Sequence, residues 1–252
     1  MNQILVTKKL YITPELKRKK KIYKIDFFLS IFLVIVLVSF CIYAEYDRNK
    51  GEQESQDILA EMENGEDTTV ADSNVLVVLL DEDAIEASNN EEQGTQASQG
   101  QKKITKKTQT TAAGSNYVTV ATVNIPKIGV NYPVLDGETD SASETEDLLK
   151  ISPTKFWGPE PNEVGNFCIV GHNYRNSKFF SKVLTLENGD IIELTDLSGR
   201  TVQYRIYNKY EVDPTDVSCT TQLTNGQKEV TLITCTNDSK QRVIVKAREI
   251  KI

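Results

Sequence analysis

Four cysteines and one histidine are the residues of this 252-residue chain best suited to nucleophilic and proton-transfer chemistry. His172 ends an apolar run, Asn-Phe-Cys-Ile-Val-Gly-His-Asn-Tyr at 166–174, where Gly171 lets the backbone turn. A lone histidine serves either as a satisfied structural residue or as a proton carrier. It argues against a histidine-rich metal site, and Cys168, Cys219 and Cys235 lack the C-x-x-C spacing of a zinc centre.

Cys235 has the more informative surroundings. Glu-Val-Thr-Leu-Ile-Thr-Cys (229–235) is followed by six polar residues and then by Arg-Val-Ile-Val-Lys-Ala (242–247). Two β-branched runs joined in this way predict an antiparallel hairpin. If Cys235 and Arg242 are its last paired residues, they face each other at about 4.5–5.5 Å with side chains on one face. The same register sets Thr234 opposite Val243 and Leu232 opposite Val245, an apolar stripe that a one-residue slip would scramble. A thiolate is the attacking species in cysteine chemistry, and a nearby cation favours it over the thiol. Arginine stays charged and offers a rigid fork of donors for a peptide carbonyl and its developing oxyanion. The alternative for Arg242 is an ordinary surface residue on an edge strand.

The elements that must hold these groups begin at Tyr117. Period-two alternation predicts strands over 117–125, 131–135, 166–172, 190–196, 201–212, 229–235 and 242–249. Turns fall at Asp136-Gly137, Asn188-Gly189, Ser198-Gly199 and Asn225-Gly226, and short helices over 141–150 and 177–184. Seven or eight strands with little helix predict an all-β domain over 117–252, a closed or nearly closed barrel that removes exposed strand edges. Cys168 reads as a small buried hydrophobe within a strand, and Cys219 as a loop residue without a role.

Upstream the composition changes twice. Residues 1–26 carry eight basic residues against Glu15 and Asp26, and 27–44 (FFLSIFLVIVLVSFCIYA) carry no charge. As a helix the apolar run spans roughly 27 Å, close to the hydrocarbon thickness of a bilayer. The lysines before it place the N-terminus in the cytoplasm and the rest outside. A cleaved signal peptide fits less well, because Ile42 would occupy the −3 position before Ala44. Residues 45–116 hold sixteen acids and six bases with few aromatics, the composition of a flexible acidic and polar tether. One apolar island at 75–80 (VLVVLL) interrupts it, as a docking segment or merely a sticky stretch. No basic patch with interleaved aromatics suggests nucleic-acid binding. Outside a cell, three cysteines beyond the anchor leave at least one unpaired.

Together these residues resemble the sortase family. The likeness rests on Thr-Leu-Ile-Thr-Cys (231–235), Arg242 followed by Val-Ile-Val-Lys-Ala, Gly-His-Asn (171–173) and Ile-Pro-Lys-Ile-Gly-Val (125–130). It also takes in Gly165-Asn166, Phe180 and Gly189-Asp190, and covers about 117–252. It implies a closed eight-stranded barrel with one or two short helices, after a transmembrane helix and a disordered tether. It also implies a membrane-anchored cysteine transpeptidase that cleaves a C-terminal sorting motif of secreted proteins through a thioacyl intermediate. The acyl group then passes to an amine of a peptidoglycan precursor or a pilin. In this frame Cys235 is the nucleophile, His172 the general acid/base, Arg242 the substrate and oxyanion stabiliser, and Thr234 a pocket-lining or strand-packing residue.

The short 211–228 stretch departs from class B sortases. The absence of an aromatic lid motif and of a C-terminal apolar anchor departs from class C. A class A-like or class D-like enzyme is the expectation. The resemblance implies no required cofactor, but some relatives bind calcium through carboxylates. Glu138, Asp140, Glu144, Glu146 and Asp147 offer such oxygens, with a solvated acidic helix as the alternative. Rival functions are a catalytically silent tethered adhesion or signalling module and a cysteine L,D-transpeptidase. The latter typically carries its histidine close before the cysteine, whereas here 63 residues separate them.

Overall fold

The structure, a computed structural model, describes residues 14–64, 107–139 and 141–251. These form two compact units, one ending at Lys50 and one beginning at Gly51. The first is helical from Pro14 onward, within α1 (Pro14–Asn64). Its apolar side chains, among them Phe28, Leu37 and Phe40, stand exposed, and the helix is long and apolar enough to cross a membrane. Exposed to water, such surface costs about 25 cal/mol per Å², a cost that a hydrocarbon layer removes.

The second unit is built on β1 (Thr108–Thr110), β2 (Asn116–Ile125), β3 (Val130–Gly137), α2 (Ala142–Leu149), β4 (Thr154–Trp157) and β5 (Gly165–Val170). It continues through β6 (Ile191–Asp196), β7 (Thr201–Val212), β8 (Lys228–Cys235) and β9 (Arg242–Glu249). The sheet order is β1-β2-β3-β4-β5-β8-β9-β7-β6, and β6 also pairs with β2. That last pairing closes β2 to β9 into an eight-stranded barrel, with β1 as a short addition on β2. Pairs β3–β4 and β5–β8 are parallel, and the others antiparallel.

Alternation decides what lies inside. Val123, Ile125, Val134, Phe167, Ile169, Leu194, Leu232 and Val245 fill the barrel core. The intervening residues of β5, β8 and β9 face outward, and there Cys168, Cys219, Ile233 and Ile244 form a smaller apolar cluster. The β8–β9 register is the one the sequence predicts: Cys235 opposite Arg242, Thr234 opposite Val243 and Leu232 opposite Val245.

Four segments differ from expectation. Strands β1 and β4 are too short to show a periodicity, and β4 places Phe156 and Trp157 at the surface. Over 177–184 there is no α-helix, only a 3₁₀ turn at Val183–Thr185. Phe179 takes φ 45°, a left-handed conformation that interrupts a right-handed helix, and both Phe179 and Phe180 are buried. Residues 45–64, expected to be flexible, are helical. Their acidic average conceals Ile58, Leu59 and Met62, a stripe at helical spacing. Ile58 packs with Tyr117, Leu135, Leu148 and Ile151, and Met62 leans on that cluster. The island at 75–80 and the tract 91–106 lie outside the described residues.

Candidate active site

The end of the β8–β9 hairpin is held by its own turn. Thr236 N–H donates to the Gln241 carbonyl at 3.0 Å, and Gln241 N–H to Thr236 Oγ1 at 3.1 Å. Thr236 Oγ1 also donates to Asp238 Oδ1 at 2.7 Å, and Ser239 takes φ 61° to complete the reversal. Because Thr236 and Gln241 form a hydrogen-bonded pair, the next pair, Cys235 and Arg242, is a non-hydrogen-bonded one. Such pairs stand closest, at about 4.5 Å between Cα atoms. Both side chains lie on the outer face with Ile233 and Ile244.

His172 comes from the other side of β8. The parallel β5–β8 register ends at Val170 opposite Ile233, and Gly171 N–H donates to the Ile233 carbonyl at 3.0 Å. His172 follows two residues on from Val170, just past the end of that register, on the side of β8 away from β9. Two long-range bonds fix this. Thr234 Oγ1 donates to the Gly171 carbonyl at 2.8 Å, and Asn173 Nδ2 to the Cys235 carbonyl at 2.9 Å. Gly171 is required here, since a Cβ on it would lie 2.5 Å from the buried Phe180 ring.

The imidazole is mostly covered, with 27% of its side chain exposed, and its Nε2 lies 3.9 Å from Glu146 Oε2 of α2. Burial disfavours the imidazolium and lowers the His172 pKa below its ordinary value; Glu146 opposes this and Lys150 adds to it. The neutral imidazole is thus the resting form at neutral pH, able to accept a proton from a neighbouring thiol.

A groove of about 330 Å³ leads away from Arg242 along the outer face. Its floor is Val170, Ile233 and Ile244, one wall is Thr145, Glu146 and Leu149 of α2, and the other is Pro214, Asp216 and Val217. Phe156 of β4 also lines it. The 213–217 wall belongs to the β7–β8 connection, which Asn166 ties down by donating from Nδ2 to the carbonyls of Cys219 at 2.9 Å and Thr221 at 3.1 Å.

A profile for the sortase domain matches residues 123–250. The chain belongs to the sortase family. It is accordingly a cysteine transpeptidase. Among solved structures it is similar to a sortase D5 transpeptidase of Clostridium perfringens, with 35% identity, 53% of this chain and 79% of that one covered, and a TM-score of 0.46. A sortase A from Corynebacterium diphtheriae aligns at 24% identity over 53% of this chain and 61% of that one, TM-score 0.45. A sortase C of Streptococcus pneumoniae aligns at 24% identity over 53% and 70%, TM-score 0.46. No curated protein sequence matches the chain.

In this sortase, Thr234 lies beneath the groove rather than in it. Its side chain is inside the barrel, 1% exposed, with its hydroxyl engaged by Gly171. Cys219, expected in a loop without a role, is buried beside Cys168, and its carbonyl accepts from Lys246 Nζ at 3.2 Å. The described members of the acidic run take different partners. Glu144 accepts from the N–H groups of Glu138 and Thr139, Asp147 from Ser115 and Lys150, and Glu146 faces His172. Among the described residues no three His, Cys, Asp or Glu side chains converge as a metal site; Asp140 lies outside them. Sequence reasoning missed the α2 wall and Phe156. The first carries no motif, and the second sits on a strand too short to detect.

Proposed function

We propose that this sortase cleaves the C-terminal sorting motif of secreted proteins and transfers the acyl part to an amine of the cell wall. The observation that carries the reading is the pairing of Cys235 with Arg242, which lines an apolar groove, with His172 just past the neighbouring strand β5. His172 takes the thiol proton of Cys235, and the thiolate attacks the scissile carbonyl. Arg242, charged at any working pH, holds the oxyanion of the tetrahedral intermediate. As that intermediate collapses, the amide C–N bond breaks, His172 returns its proton to the leaving amine, and a thioester on Cys235 remains. The acceptor amine then attacks the thioester. A new amide forms, the Cys235 thiolate departs, and the proton lost by the amine passes through His172. Thr234 acts from below, holding Gly171 and hence His172, without touching substrate.

The acceptor is a peptidoglycan precursor or a pilin lysine, and no metal is needed for any of these steps. The apolar stretch within α1 anchors the enzyme, with the N-terminus cytoplasmic and the barrel outside. The β7–β8 connection holds only a 3₁₀ turn at Ser218–Thr220, in keeping with a class A-like or class D-like enzyme. The test is mass spectrometry of the full chain with a panel of five-residue sorting peptides. The wild type should gain a thioacyl adduct that hydroxylamine or a glycine peptide releases. Cys235→Ala should gain none, and Cys219→Ala should keep it. Full turnover by Cys235→Ala would end the proposal.

A further inference from the structure

The 51–63 stretch of α1 belongs to the same compact unit as the barrel, and its contacts converge on the surroundings of His172. Glu52 Oε2 receives Lys178 Nζ at 2.7 Å, and Glu52 Oε1 receives the Tyr132 hydroxyl at 3.2 Å. The Lys178 side chain is 13% exposed and that of Glu52 30%, so the ion pair is half-buried and less screened than one at the open surface. Tyr132 Oη in turn accepts from Phe179 N–H at 3.3 Å. The next residue, Phe180, donates its N–H to the His172 carbonyl at 3.1 Å and packs its ring on Gly171. Three hydrogen bonds and one peptide link therefore connect the Glu52 carboxylate to the backbone of His172.

The same stretch also supports the other neighbour of the imidazole. Gly51 lies against the Lys150 carbonyl so closely that no Cβ fits. Ser55 Oγ and Ser152 Oγ are hydrogen-bonded at 2.9 Å with both residues fully buried, and Ile58 packs with Leu148 of α2. Helix α2 is what presents Glu146 and Lys150 to His172. Docking alone would be served by the apolar contacts. A charged pair at the foot of the histidine loop is an additional constraint on where that loop sits.

We infer that Glu52 and Lys178 are positioning residues of the transpeptidase, which hold the His172 loop from the start of the 51–63 stretch. The inference rests on the reading of His172 given above. A misplacement of about 1 Å at a reacting group costs up to about 100-fold in rate.

His172 is the only histidine of the chain, so its imidazole can be titrated by NMR in the full-length protein in detergent micelles, independently of turnover. The variants are Glu52→Gln, Lys178→Met, the exchanged pair Glu52→Lys with Lys178→Glu, and Glu61→Gln as the control. Glu61 accepts from Gln109 at the far end of the same stretch. The groups facing the imidazole are Glu146 and Lys150 at α2 and Tyr174 from its own loop. All are unchanged in these variants.

Glu52→Gln and Lys178→Met should lower kcat about 10-fold with KM for the sorting peptide within about 2-fold. They should also move the His172 titration upward, as water reaches a loosened ring. The exchanged pair should recover most of both effects, and Glu61→Gln should show neither. Unchanged titration and kcat in Glu52→Gln would overturn the inference. So would equal losses in Glu61→Gln, because the stretch would then act only through overall stability. If the wild type forms no thioacyl enzyme with any peptide, the functional reading fails, and the titration still decides the inference.

Discussion

Two segments carry the groups proposed to react, and they hold them by different means. The β8–β9 hairpin carries Cys235 and Arg242 on neighbouring strands, in a register fixed by its own apolar stripe and a six-residue turn. The 171–181 loop carries His172 with little regular structure. It is fastened to Thr234 and Cys235 on one side, and to Tyr132 and Glu52 on the other. The first arrangement is local in sequence. The second depends on partners 47 to 126 residues away, so changes remote from the chemistry should reach the enzyme through the histidine.

The strongest test on the hairpin side is Arg242→Ala. It should cost about 10²–10³ in kcat/KM, the range for removing one oxyanion donor, while leaving the melting temperature close to the wild type. A loss confined to KM would assign Arg242 to ground-state binding instead. On the loop side, Gly171→Ala drives a methyl into the Phe180 ring and should destabilise the fold by about 1–3 kcal/mol. Its thermal melt and its kcat should fall together. An unperturbed melt would mean the ring moves freely, and that the loop is less constrained than the hairpin comparison requires.

Alkali offers a third comparison. Burial pushes the Tyr132 hydroxyl up to about 12, with Glu52 adding to the rise, and burial does the same to Tyr117 and Tyr207. A pKa raised in the fold gives stability that is complete below the ordinary phenol value near 10 and is lost as pH climbs through 12. Urea midpoints should fall between pH 9.5 and about 11.5. Hydrogen exchange should show the 176–180 amides opening before those of 230–234. Simultaneous opening would merge the two segments into one cooperative unit.

The smallest effect expected is at acid pH. The His172 pKa is lowered by burial, so the unfolded chain binds the proton more readily. The stability held by neutral His172 is complete above the ordinary imidazole value near 6.5 and is lost as pH falls through the lowered one. With a quarter of the ring exposed, the melting temperature should drop only slightly from this source between pH 7 and 5. His172→Gln should remove that part of the dependence, and an identical slope in the variant would assign it to the carboxylates.

Legibility follows the same division. Strands β7 and β9 are read to the residue, because alternation over eight to twelve residues leaves one face buried and one register allowed. Ser141 is read as the start of α2, and it caps the helix by accepting Glu144 N–H at 3.3 Å. What escaped is what has no period of its own: β4, whose four residues cannot alternate convincingly, and the 177–184 stretch, whose paired phenylalanines look helical although Phe179 turns left-handed and both reach the core. The 51–63 stretch was hidden by its acids, although Ile58, Leu59 and Met62 carry the signal at helical spacing.

By itself, then, the sequence determined that Cys235 and Arg242 face each other, because side-chain alternation and a short turn admit one register. It also determined the barrel class and the apolar helix, each set by composition and period. Only the tertiary structure decided where His172 sits, what lines the groove, and that the Thr234 side chain lies inside the barrel. Those facts depend on which distant chains close over the same face of β8, and burial there, not spacing, sets both the imidazole's position and its pKa.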